Sequence, residues 1–478
     1  MDLLSQLPDE ILSVILTQFS TKEFIQAGFL SKTWKEIQAS CPSLNFDQVY
    51  NKPQEPGQLF QTGNFEKEPF MNYISKFLEN FPFEFNIKNF HLRIQTFCSR
   101  SDHDSAQINH WLDIVSAKGV EELCLSFGDQ GSNFDQSLGY RLPDFVLVST
   151  KITQMKLYGC KLEVSNPIKL PKLQVLKLEK SDVNDNFIKY LNNGCPLIEE
   201  LHLVLCNRLT NFRVLGLARL KIVSLLYCLD VKKVEIESPN IEAFYFYSKK
   251  NRPCRITLKA YEHLRKLVLH HACLLNTGWL QNQIPTFLSL QTLMLTGIDN
   301  LKNAKISNHK IENLTISECK NVVVEFDCPN LQNFEIIFDF QDDDGLSLWI
   351  KKLKKIFGNY ILQHSRVAIL LYKKSELQHV LIHDEANEIR LGLLLDDMKD
   401  WMPKVVITSS PVLDLIIKLL RWCENKLKTI YVVSNYSNIF DKWFSCEAFP
   451  NFCSLQKMAA FGEQNGEKKE KGFAFGNN

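Results

Sequence analysis

An apolar triplet that recurs across about half of the chain constrains its fold more than any other feature of the sequence. Between residues 87 and 337 the order apolar, two residues, apolar, one residue, apolar occurs eleven times. The middle apolar residues are Phe90, Leu123, Met155, Leu176, Leu201, Val223, Phe244, Leu267, Leu293, Leu314 and Phe334. Most of their spacings fall between 20 and 26 residues. Such regularity predicts an architecture that stacks one short structural unit on the next.

Each triplet predicts one short strand that adds to a parallel sheet. Because side chains alternate between the two faces of a strand, the apolar residues face a shared core and the residues between them line the opposite face. The first two spacings, 33 and 32 residues, are longer than the rest. We expect loops there, including the polar residues 128–139.

The first 47 residues predict three short helices that hide too little of their apolar surface. Pro8 suits the first turn of a helix, where its missing N–H costs nothing, and residues 11–19 are apolar over most of the helix girth. Ser31 is a predicted N-cap of the third helix, and Cys41-Pro42 ends it. Units of about forty residues rarely fold alone without metals, disulfides or partners. The segment therefore predicts a partner protein.

This N-terminal segment resembles an F-box of the plant type. The matching elements are LPDEILSVI at residues 7–15, LSKTW at 30–34 and PSLNFD at 42–47. Known F-boxes dock onto the Skp adaptor of cullin-based SCF ubiquitin ligases. The resemblance assigns that contact to Leu7, Pro8, Ile11, Leu12, Ile15, Leu30 and Trp34. The alternative is a three-helix cap that only closes the next domain.

The repeats resemble those of plant F-box/leucine-rich-repeat proteins. Strands are introduced by CPLIEEL at residues 195–201, SPNI at 238–241 and CPNL at 328–331. The leucine-rich pattern continues with Asn or Cys three residues after the last core position, and that place is held here by Cys160, Cys206, Cys228 and Cys319. A small, weakly polar side chain suits a tight inward turn, so these cysteines are predicted to be structural rather than metal-binding or redox-active.

The predicted fold class is an α/β solenoid: a three-helix F-box, a curved array of leucine-rich repeats with parallel strands, and a small α+β cap. The predicted domains are an F-box at 1–47, a helical connector at 48–86, repeats at 87–340, the cap at 341–461 and a disordered tail at 462–478. The cap loosely resembles the FBD region of plant F-box proteins. Within it we expect amphipathic helices at 348–357 and 412–423 and strands at 367–372 and 429–433.

Composition narrows the class of protein. The chain has 55 basic and 54 acidic residues, which favours neither a nucleic-acid nor an anionic-membrane partner. No apolar run approaches the roughly 18 residues of a membrane span, and the acidic N-terminus is unlike a signal peptide. We therefore expect an intracellular protein, in the cytoplasm, the nucleus or both, whose 14 cysteines stay reduced.

No motif in the sequence predicts catalysis, so we expect neither an enzyme nor a cofactor. Phosphate-binding loops, dinucleotide fingerprints, zinc-protease helices and nucleophile elbows are all missing. The run Asp342-Asp-Asp-Gly345 fails as a calcium loop, because Phe340 and Lys351 would stand where carboxylates are required. His270 and His271 adjoin a strand, which predicts opposite side-chain directions and no shared metal.

The remaining candidate is a recognition surface on the sheet. One predicted row runs across the strands through His91, Cys124, Lys156, Lys177, His202, Ser224, Tyr245, Val268, Met294, Thr315 and Glu335. From this row and the next, Tyr158, His202, Tyr245, Tyr247 and His270 are candidate anchors for a target protein. Equally, these aromatic residues can serve to stabilise adjacent strands.

Three functions fit these observations. The first is a substrate receptor of an SCF-type ubiquitin ligase, in which the F-box binds the Skp adaptor, and through it cullin, while the repeats bind a target protein. The second is an interaction scaffold without a ligase role. The third is a receptor that binds a small ligand on the concave face of the repeats.

Overall fold

A computed structural model describes most of the repeat region and selected positions elsewhere. The described residues are 8, 11, 12, 15, 16, 19, 23, 26, 27, 32, 34, 36, 37, 42–51, 62–64, 66–81, 86–95, 97, 102–128, 139–164, 166–249, 252, 254–259, 262–272, 278–298, 302–317, 323–331, 333–339, 366–372, 404–406, 429–434 and 471–476. They belong to two compact units, Met1–Lys249 with Cys254–Ala260, and Lys250–Pro253 with Tyr261–Asn478. The expected helices at 348–357 and 412–423 lie outside the described residues.

In the first unit, successive repeats supply neighbouring strands of a parallel sheet. We number the strands of this sheet, and then those of its counterpart in the second unit, in chain order. The first eight are β1 (Ser43–Asp47), β2 (Asn89–Ile94), β3 (Glu122–Phe127), β4 (Gln154–Tyr158), β5 (Val175–Glu179), β6 (Glu200–Val204), β7 (Ile222–Leu226) and β8 (Ala243–Tyr247). Each pairs in parallel with the next, so the order in the sheet equals the order in the chain.

The strand register confirms the predicted triplets of the first unit. The middle residues align directly across the sheet, as Leu176 pairs with Leu201, Leu201 with Val223, and Val223 with Phe244. These side chains are buried, as is Leu203 two residues further along β6. One face of the sheet therefore forms the core of the unit, and the residues between the triplet positions lie on the other face.

The chain returns between strands on the opposite side of this core. Its return segments form two further parallel sheets, of Tyr140–Arg141, Cys160–Leu162 and Asp182–Val183, and of Asn211–Leu215, Lys233–Glu237 and Arg255–Leu258. This alternation of an inner strand and an outer return is the pattern of an α/β solenoid, as predicted.

A helix in the predicted connector packs on the start of the sheet. Helix α1 (Lys67–Glu79) buries Phe70, Met71, Ile74 and Leu78. The ring of Phe46 in β1 lies 5.5 Å from that of Phe77 and 6.1 Å from that of Phe90. Residues 43–47, which the resemblance placed at the end of the F-box, thus form the first strand of the sheet.

The first long gap between triplets holds a helix, and the expectation of loops there was wrong. Helix α2 (Asp102–Ala117) separates β2 from β3. Trp111 is fully buried, and its Nε1 donates to the Ser75 hydroxyl of α1 at 2.9 Å. Ile108, Trp111, Leu112 and Val115 recur at helical spacing. This signal lay between triplets, where only connections were expected.

The second long gap also contains regular structure among its described residues. A short 3-10 helix, Asp144–Val148, buries Val146 and Leu147.

Further along the chain, helix α3 (Asp185–Gly194) packs on the return side and begins at Asn184, whose side chain accepts a hydrogen bond from Phe187 N. Asn and Asp are favoured at this position because they satisfy an N–H that the helix leaves unpaired.

The backbone leaves the sheet through the same left-handed turn in several repeats. The residue directly after the strand has a positive φ at Gly128, Gly159, Lys180, Leu205 and Tyr227. Their N–H groups bond to neighbouring strands; Leu205 N, for example, donates to Leu226 O at 2.8 Å. A left-handed conformation costs about 1–2 kcal/mol where a Cβ is present. The turn therefore stores strain at Lys180, Leu205 and Tyr227, at the carboxyl ends of their strands.

The second unit repeats this plan. Its strands are β9 (Lys266–His270), β10 (Thr292–Thr296), β11 (Asn313–Ser317), β12 (Asn333–Asp339), β13 (Arg366–Tyr372), β14 (Lys404–Val406), β15 (Thr429–Ser434) and β16 (Lys471–Gly476). Strands β9 to β15 pair in parallel in chain order. Between β9 and β10 stands a short helix, α4 (Gly278–Gln283).

The strands predicted at 367–372 and 429–433 are confirmed, and they continue the parallel sheet of the second unit beyond the last triplet. The prediction of a disordered tail was wrong for Lys471–Gly476, which forms β16 and pairs antiparallel with β15. The alternation of Phe473, Ala474 and Phe475 suits a strand. Glycines and mixed charge around it obscured that short pattern.

Candidate functional site: two protein-interaction surfaces

The first candidate surface is the exposed side of the N-terminal helices. The described positions between residues 11 and 16, 23 and 27, and 32 and 37 are helical, which agrees with three short helices. The first helix begins at Pro8, because the N–H groups of Ile11 and Leu12 both donate to Pro8 O, at 3.0 and 3.1 Å.

Adjacent apolar residues of this helix have opposite environments. Ile11 is 48% exposed, whereas Leu12 is 1% exposed. Pro8 is exposed as well, and Ile15 is half-buried. Leaving a large aliphatic side chain in water forgoes about 1.5–3 kcal/mol of burial free energy. A partner that covers Pro8, Ile11 and Ile15 would recover part of it.

The other predicted adaptor contacts are placed differently. Trp34 is 1% exposed and stacks on Phe19, with ring centroids 6.2 Å apart. Leu12 and Trp34 thus lie inside the N-terminal segment and support its surface from beneath. Leu7 and Leu30 lie outside the described residues. For all seven residues, contact with an adaptor stays a prediction.

The second candidate surface is the sheet face of the first unit. Its middle row follows the predicted order, with His91 opposite Cys124, then Lys156, Lys177, His202, Ser224 and Tyr245. In the second unit the same row runs Val268, Met294, Thr315, Glu335. The predicted register is confirmed in both units. Period-two alternation decides it, since a slip of one residue would move every apolar side chain to the wrong face.

Cationic side chains occupy the centre of this row. Lys156 and Lys177 are directly opposite each other on β4 and β5, and both are exposed. We call them the lysine pair. Lys177 Nζ lies 4.0 Å from Glu200 Oε2, and within the described part of the chain Lys156 forms no ion pair. Like charges directly opposite on neighbouring strands are destabilising.

A histidine lies toward each side of the lysine pair. Burial lowers the pKa of His91; Asp47 acts against this shift, and Arg93 and Lys156 add to it. Burial also lowers the pKa of His202, where the hydrogen bond to Glu200 works in the opposite direction. Both rings are therefore mostly neutral at pH 7, which leaves the lysines as the fixed charges of the middle row.

His202 is held by two polar neighbours. Its Nε2 lies 3.1 Å from Glu200 Oε2, and its Nδ1 lies 3.0 Å from Ser224 Oγ. These contacts fix the ring at the surface of β6. Both ring nitrogens are thus engaged within the chain, and the role of His202 as an anchor for a target stays a prediction.

Strands β6 to β8 present a different, mostly apolar surface. Val204, Leu226, Tyr245 and Tyr247 are partly exposed on this side, and Tyr227 follows β7 in the left-handed turn. The rings of Tyr227 and Tyr247 lie 6.0 Å apart. We call these five residues the apolar half. Aromatic groups that are rigid and partly wet are typical anchors of protein interfaces.

Tyr158 is better placed to stabilise adjacent strands than to anchor a target protein. It is 8% exposed, and Lys180 Nζ lies over its ring at 5.7 Å from the centroid. Its side chain is therefore already covered by its own chain. Tyr245 and Tyr247 keep more exposed surface.

His270, in the second unit, has a geometry that the sequence did not predict. The rings of His270 and His271 meet edge to face at 4.4 Å, so the expectation that they point to opposite faces was wrong. The reason is that His271 has a φ of 49° and has already left the strand. His271 Nδ1 lies 3.3 Å from Gly297 O. A Cβ on Gly297 would lie 1.9 Å from this nitrogen, so glycine is required here.

The described cysteines of the turn have the structural role that was predicted. Cys160, Cys206 and Cys228 are buried, and each thiol faces backbone carbonyls. Cys206 Sγ, for example, lies 3.5 Å from both Leu178 O and Val204 O. Burial raises the pKa of the Cys160 and Cys206 thiols, which keeps them protonated. Cys319 lies outside the described residues.

Among the described residues, no group of three or more His, Cys, Asp or Glu side chains is arranged to hold a metal ion. No helix in the described part is long and apolar enough to cross a membrane. The Asp342–Gly345 run lies outside the described residues.

Two known protein families match separate parts of the chain. The F-box domain family matches residues 4–46. The LRR domain family of At1g61320/AtMIF1 matches residues 83–279. The chain thus combines a region similar to the F-box domain with a region similar to an LRR domain. The F-box match covers the N-terminal helices, and the LRR match covers strands β2 to β8 of the first unit and β9 of the second.

The chain is similar to several proteins from Arabidopsis thaliana, among them the following three. F-box/LRR-repeat protein At3g59200 is 30% identical over 214 residues, which are 42% of this chain and 36% of the relative. F-box/LRR-repeat protein At3g03360 is 24% identical over 266 residues, 53% of this chain and 49% of the relative. F-box protein At5g03100 is 28% identical over 227 residues, 46% of this chain and 63% of the relative. The chain thus spans roughly a third to two thirds of their lengths.

Sequence reasoning named some residues of these surfaces and missed others. Lys156 and Lys177 stood in the predicted row without being selected as candidates, and Val204, Leu226 and Tyr227 were not selected either. The predicted row already placed the two lysines next to each other. No sequence signal marks Tyr227, because left-handed turns usually take Gly or Asn rather than Tyr.

Proposed function

We propose that this protein is the substrate-recognition subunit of an SCF-type ubiquitin ligase. Its F-box binds a Skp-type adaptor and, through the adaptor, cullin. The sheet face of its repeats binds a target protein. The chain itself carries out no chemistry; it holds the target near the ubiquitin-charged subunit, where proximity raises the rate of transfer.

The observation that carries this proposal is the F-box match over residues 4–46, within which Ile11 remains exposed beside buried Leu12. Covering Pro8, Ile11 and Ile15 by an adaptor removes apolar surface from water, which is the main driving force of such docking.

Capture of a Skp-type adaptor from Arabidopsis thaliana by the full chain tests the proposal. Ile11→Asp places a charge in the contact, and we expect capture to fall at least tenfold. Leu288→Asp is the matched control, because Leu288 is 61% exposed and lies in the second unit. The control should bind like the wild type. Equal capture by wild type and Ile11→Asp would contradict the proposal.

A further inference from the structure

The middle row of the sheet contains a charge arrangement that stability does not explain. Lys156 and Lys177 are in register on adjacent parallel strands, so their Cβ atoms lie roughly 5 Å apart. Both are exposed at the centre of the face. Like charges directly opposite on adjacent strands destabilise a sheet. An anion bound between the two ammonium groups would reverse that sign.

Carboxylates surround the lysine pair and limit what it can bind. Glu122 and Glu179 are exposed on β3 and β5, and Glu200 lies on β6 beside Lys177. Asp47 is already paired with Arg93 at 3.4 Å. These negative groups would repel a long acidic tract. The arrangement suits one anionic group placed between the lysines.

Tyr245, on the strand of the apolar half that is farthest from the lysine pair, lies in the same row as that pair and at a defined distance from it. Tyr245 on β8 is three strands from Lys177 and four from Lys156. With about 4.8 Å between strands, these separations are roughly 14 and 19 Å. An extended peptide covers them in about four to six residues at roughly 3.3 Å per residue.

We propose that the sheet face binds an extended segment of the target that contains one anionic residue and one apolar residue, four to six positions apart. Lys156 and Lys177 hold the anionic residue, and Tyr245 and Tyr247 of the apolar half hold the apolar residue. This inference rests on the proposed function, since the segment is the part of the target that the ligase subunit would recognise. The anionic residue is an acidic side chain or a phosphorylated one.

Peptide binding to the full chain, without adaptor, tests the inference. The probes are dye-labelled peptides with one glutamate, or one phosphoserine, separated from a Phe-Leu pair by one, four or eight Gly/Ser residues. We expect the four-residue spacer to bind at least fivefold more tightly than the other two. Comparison of the glutamate and phosphoserine peptides identifies the source of the anion. Equal binding at all three spacings would overturn the inference.

The lysine variants separate recognition from structure. Lys156→Gln/Lys177→Gln should weaken binding of the four-residue-spacer peptide at least tenfold and leave thermal stability unchanged or higher. Lys172→Gln/Lys189→Gln is the matched control, because both lysines are exposed off the sheet face. It removes the same charge, and its binding should stay within twofold of the wild type. Peptide binding that survives loss of the lysine pair would overturn the inference.

The apolar half and the F-box give two further comparisons. Tyr245→Ala/Tyr247→Ala should weaken peptide binding at least fivefold, whereas Phe145→Ala, an exposed aromatic elsewhere in the unit, should not. Ile11→Asp should bind the peptide normally. Loss of adaptor capture together with normal peptide recognition in this variant would support both proposals. If adaptor capture holds in the wild type and no peptide binds, the inference alone fails.

Discussion

The N-terminal helices and the repeat sheet differ in how clearly sequence position determines side-chain direction. In β6, Leu203 faces the core and Val204 the sheet face, as period-two alternation requires. In the first helix, Ile11 and Leu12 are both apolar, and nothing in the sequence shows that Ile11 faces outward. A strand has two faces that alternate along the sequence. In a helix that is apolar over most of its girth, the sequence does not show which side is buried. Residue roles can therefore be read more directly in the sheet than in the helices.

The largest loss of stability is expected for a substitution at Trp34, in the N-terminal helices. Trp34→Ala removes a fully buried ring stacked on Phe19 and should cost about 3–5 kcal/mol. Hydrogen exchange of peptides from residues 8–37 should show lost protection in this variant and retained protection in Ile11→Asp. Protection that survives in Trp34→Ala would contradict the placement of Trp34 in the core of the segment.

Neighbouring residues of β6 provide the equivalent test in the sheet. Leu203→Ala should cost about 2–5 kcal/mol, because Leu203 is fully buried between repeats. Val204→Ala should cost less than about 1 kcal/mol, since its side chain is partly in water. Urea denaturation followed by circular dichroism measures both. Similar losses for the two variants would break the assignment of β6 to its two faces.

A smaller effect, of opposite sign, is expected at the left-handed turn. Leu205 has a φ of 52°, a conformation that costs about 1–2 kcal/mol with a Cβ present. Leu205→Gly relieves this strain but loses part of a half-buried side chain, so we expect a gain of up to about 1 kcal/mol by urea denaturation. A clear loss of stability would show that packing of Leu205 outweighs the strain of the turn.

The smallest predicted effect is a shift in the titration of His202. Burial lowers its pKa, Glu200 raises it and Lys177 lowers it. Glu200→Gln should therefore lower the pKa further, and Lys177→Gln should raise it. NMR of the histidine Cε1 signals, with His202→Gln to assign the resonance, measures both shifts. A higher pKa in Glu200→Gln would contradict the contact between His202 and Glu200.

The lowered pKa of His202 also determines how the free energy of unfolding changes with pH. Since the folded pKa of His202 lies below its unfolded value near 6.5, the unfolded chain binds more protons in the window between the two values. The contribution of His202 to stability is thus fully present above pH 6.5 and is lost as the pH falls through the folded pKa. In His202→Gln, this part of the acid sensitivity should disappear from urea denaturation curves.

Much of the fold follows from the sequence, and the exceptions have physical reasons. The triplets predicted which residues of β2 to β8, and of β9 to β12, pair within each unit, because burial of one face fixes the register. Helix α2 was not predicted, because the helical spacing of Ile108, Trp111 and Val115 falls in a gap between two triplets. The contact of His270 with His271 was missed because a left-handed residue ends the strand, and the sequence does not mark that turn.

The site was less predictable than the fold. The F-box motif indicated a docking segment, but which of its apolar residues face outward depends on how three helices pack together. The row of His91 to Tyr245 was predicted in order. Its key feature, two lysines in register, is a property of two repeats considered together, and neither repeat alone contains it.

In the proposed function, the N-terminal helices bind an adaptor and the sheet face of the first unit binds an anionic, partly apolar segment. Retention of the labelled four-residue-spacer peptide on an immobilised Skp-type adaptor, in the presence of the full chain, tests both surfaces at once. Wild type should retain chain and peptide, Lys156→Gln/Lys177→Gln the chain alone, and Ile11→Asp neither. Retention of the peptide by Ile11→Asp, or release of the chain by the lysine variant, would contradict the account.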